Sequence, residues 1–272
     1  MAALTRAPAP ARLFGPPLPR NQRLALGAAG FLFVLGAWEV ASRLGVLNPL
    51  FFSKPSDIVL AGINEVQLPR FWNDVTVSLT EFSVGLVLAI LLGIPLGLIS
   101  GWYPRFLYFI DPWLNFLNAT PRVALLPIIV IWLGLGVSSK IAVVFLGAFF
   151  SILIPTIQGV RTVDKRLIDV ARSFRASRRL MFVSVILPAT VPFIVTGLKI
   201  GVARALIGVV VGELYAATSG LGVMISKASQ VLQADRMFFG VFIFTIAGVV
   251  GVGLVGRVET YFQRWRPRQG IE

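Results

Sequence analysis

Residues 82–103 read FSVGLVLAILLGIPLGLISGWY and contain no charged side chain. A helix needs about 20 mostly apolar residues to cross the hydrocarbon core of a bilayer, so this stretch predicts a membrane span. Three other runs, residues 141–160, 180–198 and 237–256, also contain no Asp, Glu, Lys or Arg over most or all of their length. Because the bilayer interior offers no water to bond with backbone groups, such spans form helices. We therefore predict an all-α integral membrane protein.

The composition of the chain supports this fold class. Of its 272 residues, 56% are hydrophobic and 14% are charged, and the mean hydropathy is +0.83. Soluble domains carry about 25% charged residues, so this chain could not cover a water-facing surface of its size. It contains no Cys and no His, which excludes disulfides, Cys/His metal sites and Ser-His or Cys-His catalytic pairs. We expect no catalytic residue and no metal ligand in it.

About six transmembrane helices are predicted. Two more apolar runs, 24–44 and 194–212, carry two charged residues each. Pro188 and Pro192 are expected to cut the run 180–198, so the fifth span should begin after them. The predicted spans are 24–44, 78–101, 122–138, 141–160, 192–212 and 237–257.

The basic residues predict the orientation of these spans. The segment between the fourth and fifth spans, the two terminal tails and Arg105 together hold 16 of the 25 Lys and Arg residues. Six spans place all four segments on one side, which the positive-inside rule identifies as the cytoplasm. The net charge of +13 therefore reflects membrane insertion, and we expect membrane lipid and no nucleic acid as a partner.

The chain is predicted to contain one membrane domain between two tails. Residues 1–22 are rich in Pro and Ala and are expected to form a disordered cytoplasmic tail. Residues 23–262 form the transmembrane domain, with a cytoplasmic loop at 161–189, and residues 263–272 form a second cytoplasmic tail. The basic tail before an apolar run is also typical of a signal peptide, but five further spans follow, which favours an uncleaved helix.

Small residues and amphipathic segments predict how the spans pack. Gly93, Gly97 and Gly101 share one face of the second span, where they allow close helix packing; a sliding contact is the alternative. Residues 105–118 predict an amphipathic helix at the cytoplasmic interface, or a wall of a transport path. Residues 55–67 predict an interfacial helix on the outer side.

The cytoplasmic loop 161–189 contains the most informative pattern. Its apolar residues recur at positions i, i+3, i+4 and i+7 of a helix, and they are Leu167, Val170, Ala171 and Phe174. Ser177 is suited to begin a second helix, 178–187. A short amphipathic helix outside the membrane must cover its apolar face. Lipid headgroups could cover it, and so could the groove of a partner protein.

The loop resembles a known motif. Asp169-Val170-Ala171, three residues, Arg175, nine residues and then Val185-Ile186-Leu187-Pro188 is similar to the EAA loop of permease subunits in binding-protein-dependent ABC importers. The family pattern is Glu-Ala-Ala, three residues, Gly, nine residues and Ile-x-Leu-Pro. Arg175 is the main departure, because glycine permits a tight turn that arginine does not favour.

The resemblance extends over residues 50–260, and segments 77–101, 120–140 and 220–222 are similar to the subfamily that imports nitrate, sulfonates, taurine and vitamin precursors. It implies a type I ABC importer permease fold in the bacterial inner membrane, with both termini cytoplasmic. The implied partners are a dimer of ABC ATPase subunits that bind ATP and Mg, a second, identical permease subunit and an external solute-binding protein. The residues implied in coupling to the ATPase are Leu167, Asp169, Val170, Ala171, Arg172, Phe174, Arg175, Leu187 and Pro188.

Two other function classes compete with the importer permease. The chain has no Gly-x-x-x-x-Gly-Lys-Ser/Thr phosphate loop, so ATP hydrolysis would need another polypeptide. An ion-coupled secondary transporter or channel is the alternative, but inverted repeats and deep carboxylates typical of that class are scarce here. An integral membrane enzyme would have little chemistry available without His or Cys.

Charged residues in the spans are candidates for the translocation path. An Arg or Lys at mid-bilayer costs about 2.5–3.5 kcal/mol on insertion scales and usually faces a bundle interior or water. Arg204 is expected to pair with Glu81 or Glu39 of another span, or to contact an anionic solute. The predicted path residues are Arg122, Arg204 and Glu213.

Overall fold

The computed structural model describes residues 19–262, without the side chains of Arg20 and of residues 258–262. The described chain contains a 3₁₀ turn at Arg122–Leu125 and a π turn at Phe182–Ile186. In chain order the helices are α1 Arg20–Arg43, α2 Pro55–Val66, α3 Pro69–Trp102, α4 Pro104–Ala119, α5 Leu126–Leu133, α6 Val137–Arg161, α7 Lys165–Ser173, α8 Arg178–Met181, α9 Leu187–Ala216, α10 Leu221–Gln230 and α11 Ala234–Phe262.

The all-α membrane fold is confirmed. Five predicted spans coincide with helical stretches of the described chain that are long and apolar enough to cross a bilayer: α1, α3, α6, α8 with α9, and α11. Of the two predicted tails, residues 1–18 and 263–272 lie outside the described residues. Helix α1 begins at Arg20, slightly before the predicted boundary at residue 23.

The third predicted span, 122–138, is wrong as a single straight helix. Helix α5 has only eight residues and rises about 12 Å, well short of the hydrocarbon core of about 30 Å. Gly134, at φ +79°, ends it. The segments Pro104–Ala119 and Arg122–Leu133 together are apolar enough for one span, bent by 91° at their junction. This bent pair of segments, to which α4 belongs, therefore has the form of a broken span or of a re-entrant loop.

The prediction that prolines cut the fifth span is also wrong. The helical stretch Arg178–Ala216 runs through both Pro188 and Pro192 over 39 residues. Pro188 lies in the first turn of α9, directly after the π turn. A π turn shifts the backbone hydrogen-bond pattern locally, which accommodates the missing proline N–H.

Three helices, α3, α6 and α9, form the centre of the bundle. A Cβ atom added at Gly97 of α3 would lie 2.7 Å from the Cβ of Thr156 in α6, and one at Gly208 of α9 would lie 2.9 Å from the Cα of Val144. Real Cβ atoms do not approach so closely, so glycine is required at these contacts. Gly93 and Gly101 face α6 as well, and the predicted glycine stripe is thus a helix-packing surface.

Polar contacts hold both ends of helix α2 against neighbouring helices. At its start, Glu39 of α1 accepts hydrogen bonds from the backbone N–H and the hydroxyl of Ser56 at 3.1 and 2.9 Å. At its end, the buried carboxylate of Glu65 pairs with Arg236 of α11 at 2.7 Å and with Arg70 of α3 at 3.4 Å. The predicted interfacial helix is therefore held by polar contacts to three neighbouring helices.

Candidate functional site

A cavity of about 620 Å³ opens where the broken span meets α6 and α9. The α4–α5 junction, the middle of α6 and the middle of α9 each supply one side. Its walls are mainly apolar, with a few hydroxyl and amide groups. The residues that line it include Asn118, Thr120, Arg122, Phe150, Ser151 and Arg204.

Arg122 and Arg204 are the only ionisable residues among those that line this cavity. Arg204 lies near the midpoint of α9 and is exposed. Among the described residues it has no carboxylate partner. The sequence grouped these two residues as path candidates, and the structure brings them to one cavity from helices far apart in the chain.

Arg122 is held in place by two neighbours. One terminal nitrogen of its guanidinium donates a hydrogen bond to Oδ1 of Asn118 at 3.2 Å, and its Cζ lies 5.7 Å from the centroid of the Phe150 ring. Its Nε is buried and has no hydrogen-bond partner within residues 19–262. The cation is thus oriented by the protein while one of its donors stays unsatisfied.

The predicted pairing of Arg204 with Glu81 or Glu39 is wrong. Glu81 forms a buried ion pair with Lys140 of α6, and Glu39 pairs with Arg43 at 2.6 Å. The side chain of Lys140 is only 3% exposed. The carboxylate of Glu81 within an apolar span was the signal that a nearby cation had to exist.

Glu213 does not line the cavity, although the sequence grouped it with the two arginines. It is 1% exposed, and its carboxylate accepts hydrogen bonds from Oγ of Ser78 at 2.5 Å and from the backbone N–H of Gly222 at 2.6 Å. Ser78 in turn accepts from the N–H of Leu221 at 2.9 Å. Carboxylates near a helix N-terminus are favourable. Glu213 therefore supports the start of α10, and its role in the path stays a prediction.

The apolar face of α7 is exposed in the described chain. The exposed fractions are 52% for Leu167, 55% for Val170 and 84% for Phe174, whereas Ala171 is half-buried. Asp164 caps the helix by accepting from the N–H of Arg166 at 2.9 Å. A helix of nine residues is marginal in water on its own and needs packing to persist. This face is therefore suited to bind another surface.

The backbone conformation at the end of α7 explains why the family pattern has glycine at the position of Arg175. Arg175 has φ +51°, in the left-handed region that favours glycine. The N–H of Arg175 donates to the carbonyl oxygen of Arg172 at 2.8 Å, and the N–H of Ala176 donates to the carbonyl oxygen of Ala171 at 3.0 Å. This pair of bonds is a Schellman motif. Arginine therefore adopts the tight turn, at a conformational cost of about 1–2 kcal/mol.

The remaining predicted coupling residues lie at two places. Asp169 and Arg172 form an exposed ion pair at 3.5 Å on α7 itself. Leu187 and Pro188 lie in the first turn of α9. The predicted loop 161–189 thus contains one separate helix, α7, and the first part of the long helical stretch Arg178–Ala216.

Comparisons with known proteins identify a family of membrane transport proteins that this chain resembles in sequence and fold. The family model of the binding-protein-dependent transport system inner membrane component matches residues 93–266. The chain is 32% identical to a putative aliphatic sulfonates transport permease protein, SsuC, of Bacillus subtilis, with 86% of this chain and 84% of that protein covered. It is 34% identical to the taurine transport system permease protein TauC of Escherichia coli, with 85% of each covered.

Two further similarities extend the comparison. The chain is 31% identical to the formylaminopyrimidine transport permease protein ThiX of Halalkalibacterium halodurans, over 88% of this chain and 95% of that protein. Among solved structures, an inward-facing form of the MetNI methionine ABC transporter matches with a TM-score of 0.63 and 18% identity. That match covers 71% of this chain and 98% of the other, and it establishes a shared fold.

Proposed function

This chain belongs to the family of binding-protein-dependent transport system inner membrane components, and we propose that its cavity carries a small solute of the sulfonate, nitrate, taurine or vitamin-precursor class. The chain is a membrane-spanning permease subunit of an ATP-driven ABC importer with the type I permease fold. Such a subunit works with an ATPase and an external solute-binding protein. The solute class comes from the relatives, which are named for sulfonates, taurine and formylaminopyrimidine.

The exposed face of α7 is the observation that carries the proposed coupling. Leu167, Val170 and Phe174 form an apolar stripe outside the spans, and nothing in the described chain covers it. We assign this stripe to a groove of the partner ATPase, with Asp169 and Arg172 as polar contacts at its edge. An amphipathic helix in a hydrophobic groove is a common recognition mode. Leu187 and Pro188, at the start of α9, would then transmit the movement of α7 into the bundle.

ATP and Mg bind to the partner ATPase in this proposal, since the chain has no Walker-type phosphate loop. Closure of the ATPase subunits on nucleotide moves the docked α7 helices, and the spans change their tilt. The cavity then faces the outside and receives solute from the binding protein. This is a two-state packing change of the alternating-access kind.

A second, identical permease subunit is proposed beside the cavity. Ile200 and Ile207 of α9 line the cavity and are 44% and 53% exposed, and the exposed Arg204 lies between them. A second copy would cover this face and complete the path. Both termini lie in the cytoplasm in this arrangement, as six crossings require and as the positive-inside rule orients them.

Import into sealed vesicles tests the function. Vesicles that contain the permease and its ATPase should take up solute only with ATP inside and the binding protein outside. Omission of the ATPase should abolish import. An ion-coupled carrier, the competing function, would instead run on a Na⁺ or H⁺ gradient without ATP. Uptake driven by a gradient alone would refute the importer assignment.

A further inference from the structure

We propose that Arg122 and Arg204 form an anion-binding site inside the membrane domain, which takes the oxyanion head group of a small organic acid such as a sulfonate. The inference rests on the proposed function, because a site in this cavity matters for transport only if solute passes through it. It goes beyond that function by assigning solute charge selection to two residues of the permease itself.

The depth of Arg204 is the first argument. This exposed arginine lies near the midpoint of a 30-residue helix, and a guanidinium at mid-bilayer costs about 2.5–3.5 kcal/mol on insertion scales if nothing compensates it. No carboxylate of the described chain does so. Arginines within spans face water or a charged partner, so an anion in the cavity is the partner that the geometry allows.

The broken span is an independent argument for a solute site at this position. Between Ala119 and Arg122 the backbone turns by 91° within a segment that has the length and composition of a broken span or a re-entrant loop. Backbone outside regular helices is tolerated at membrane depth only where protein buries it or where it lines a polar cavity. Thr120, Pro121 and Arg122 all line the cavity. Discontinuous helices of this kind surround substrate sites in other transporters.

The chemistry of the cavity specifies an anion. Two cations and no carboxylate line its walls, and like charges that face one cavity repel each other. An oxyanion between them would remove this repulsion. The buried Nε of Arg122 has no partner within the described residues. Guanidinium groups bind planar or tetrahedral oxyanions through paired, charge-assisted hydrogen bonds, which are the stronger kind.

The rest of the cavity suits a small organic body. Asn118, whose Oδ1 accepts from Arg122, contributes an amide group to the wall. Phe150 and Ile154 supply apolar surface. A volume of about 620 Å³ falls within the usual range of about 300–1,000 Å³ for small-molecule pockets. The site therefore fits a sulfonate with a short carbon chain better than an uncharged pyrimidine.

Direct binding to the permease–ATPase complex tests the site without the binding protein. The complex, in lipid nanodiscs, is titrated with ethanesulfonate and with ethyl methyl sulfone, an uncharged molecule of similar shape, at constant ionic strength. A ligand that binds the folded state raises the thermal unfolding midpoint. Ethanesulfonate should raise it and the sulfone should not. Acetate and nitrate in parallel titrations identify which oxyanion the site prefers.

Variants connect the binding to the two arginines. Arg122→Gln and Arg204→Gln should each weaken the apparent affinity for ethanesulfonate by about tenfold or more, the effect of about 1.4 kcal/mol. Arg204→Lys should retain part of it, since the charge remains. Arg105→Gln is the matched control, because this exposed arginine of α4 does not line the cavity. Recovery of the ATPase with each variant shows that it is folded.

The outcomes separate this inference from the proposed function. Equal binding by the Gln variants and the control, equal stabilisation by the sulfone, or no stabilisation by any of the three anions would overturn the site. ATP-driven import by the unaltered complex would stand in each of those cases. Conversely, import that needs no ATP would refute the function, while arginine-dependent anion binding by the purified complex would still support the site.

Discussion

The carboxylate of Glu213 accepts a hydrogen bond from the backbone N–H of Gly222, nine residues further along the chain, at 2.6 Å. The same carboxylate accepts from Ser78 of α3, so one buried side chain joins the end of α9, the start of α10 and a neighbouring helix. Its Oε1 lies well inside van der Waals contact of the place where a Cβ atom of residue 220 would stand. The turn between α9 and α10 is thus built around Glu213.

This contact predicts that Gly220→Ala lowers stability strongly. The methyl group would displace the Glu213 carboxylate from its hydrogen bonds, and φ of +129° is itself unfavourable for alanine. Gly134→Ala is the matched control, because Gly134 also has a positive φ but open space around its Cβ position. Backbone strain of this kind costs about 1–3 kcal/mol, and Gly220→Ala should exceed the control in its loss of thermal unfolding midpoint. Equal losses would show that the contact with Glu213 contributes nothing.

The ion pair between Lys140 and Glu81 predicts a strong coupling energy. Lys140→Met leaves a buried carboxylate without its cation, which should destabilise the protein by about 3–5 kcal/mol. Glu81→Met should have a similar effect, and the double variant should recover much of the loss. Thermal unfolding of the four proteins in one detergent measures this cycle. Single variants as stable as the unaltered protein would contradict the buried pair.

Acidic substitutions on the exposed face of α7 are expected to abolish binding of the ATPase. Phe174→Asp and Ala171→Asp place a carboxylate on the apolar stripe, so both should abolish co-purification of the ATPase while membrane insertion stays intact. Val46→Asp is the control, because Val46 is 73% exposed in the segment between α1 and α2, on the opposite side of the proposed membrane topology. Undiminished co-purification with Phe174→Asp would refute the docking role of α7. Loss with Val46→Asp would refute the orientation.

The left-handed residue at the end of α7 predicts a stabilising substitution. Arg175→Gly should relieve about 1–2 kcal/mol of conformational strain and hold the Schellman turn more firmly. Amide hydrogen exchange at Ala176, whose N–H bonds to the carbonyl of Ala171, should become slower. Arg175→Ala removes the charge but keeps the strain, so it should not slow exchange. If both variants exchange alike, the charge of Arg175 and not its φ angle controls this turn.

Much of the fold follows from local pattern. The uncharged run 82–103 is long enough to span a bilayer, and a lone segment can span it only as a helix. Its secondary structure can therefore be predicted without knowledge of the neighbouring segments. The spacing of Leu167, Val170 and Phe174 predicts one face of a helix by periodicity alone. The small residues Gly93 and Gly97 predict a close packing face because their lack of a side chain is a property of the residue itself.

Hydropathy and periodicity alone therefore predict a helical membrane protein with an amphipathic helix outside its spans. Tertiary packing is what brings Lys140 to Glu81, Ser78 to Glu213, and Arg122 and Arg204 to one cavity. Each of these pairs joins residues far apart in the chain, with 135 positions between Ser78 and Glu213. A side chain's partner depends on which helices pack side by side and at what depth, and local periodicity contains no information about either.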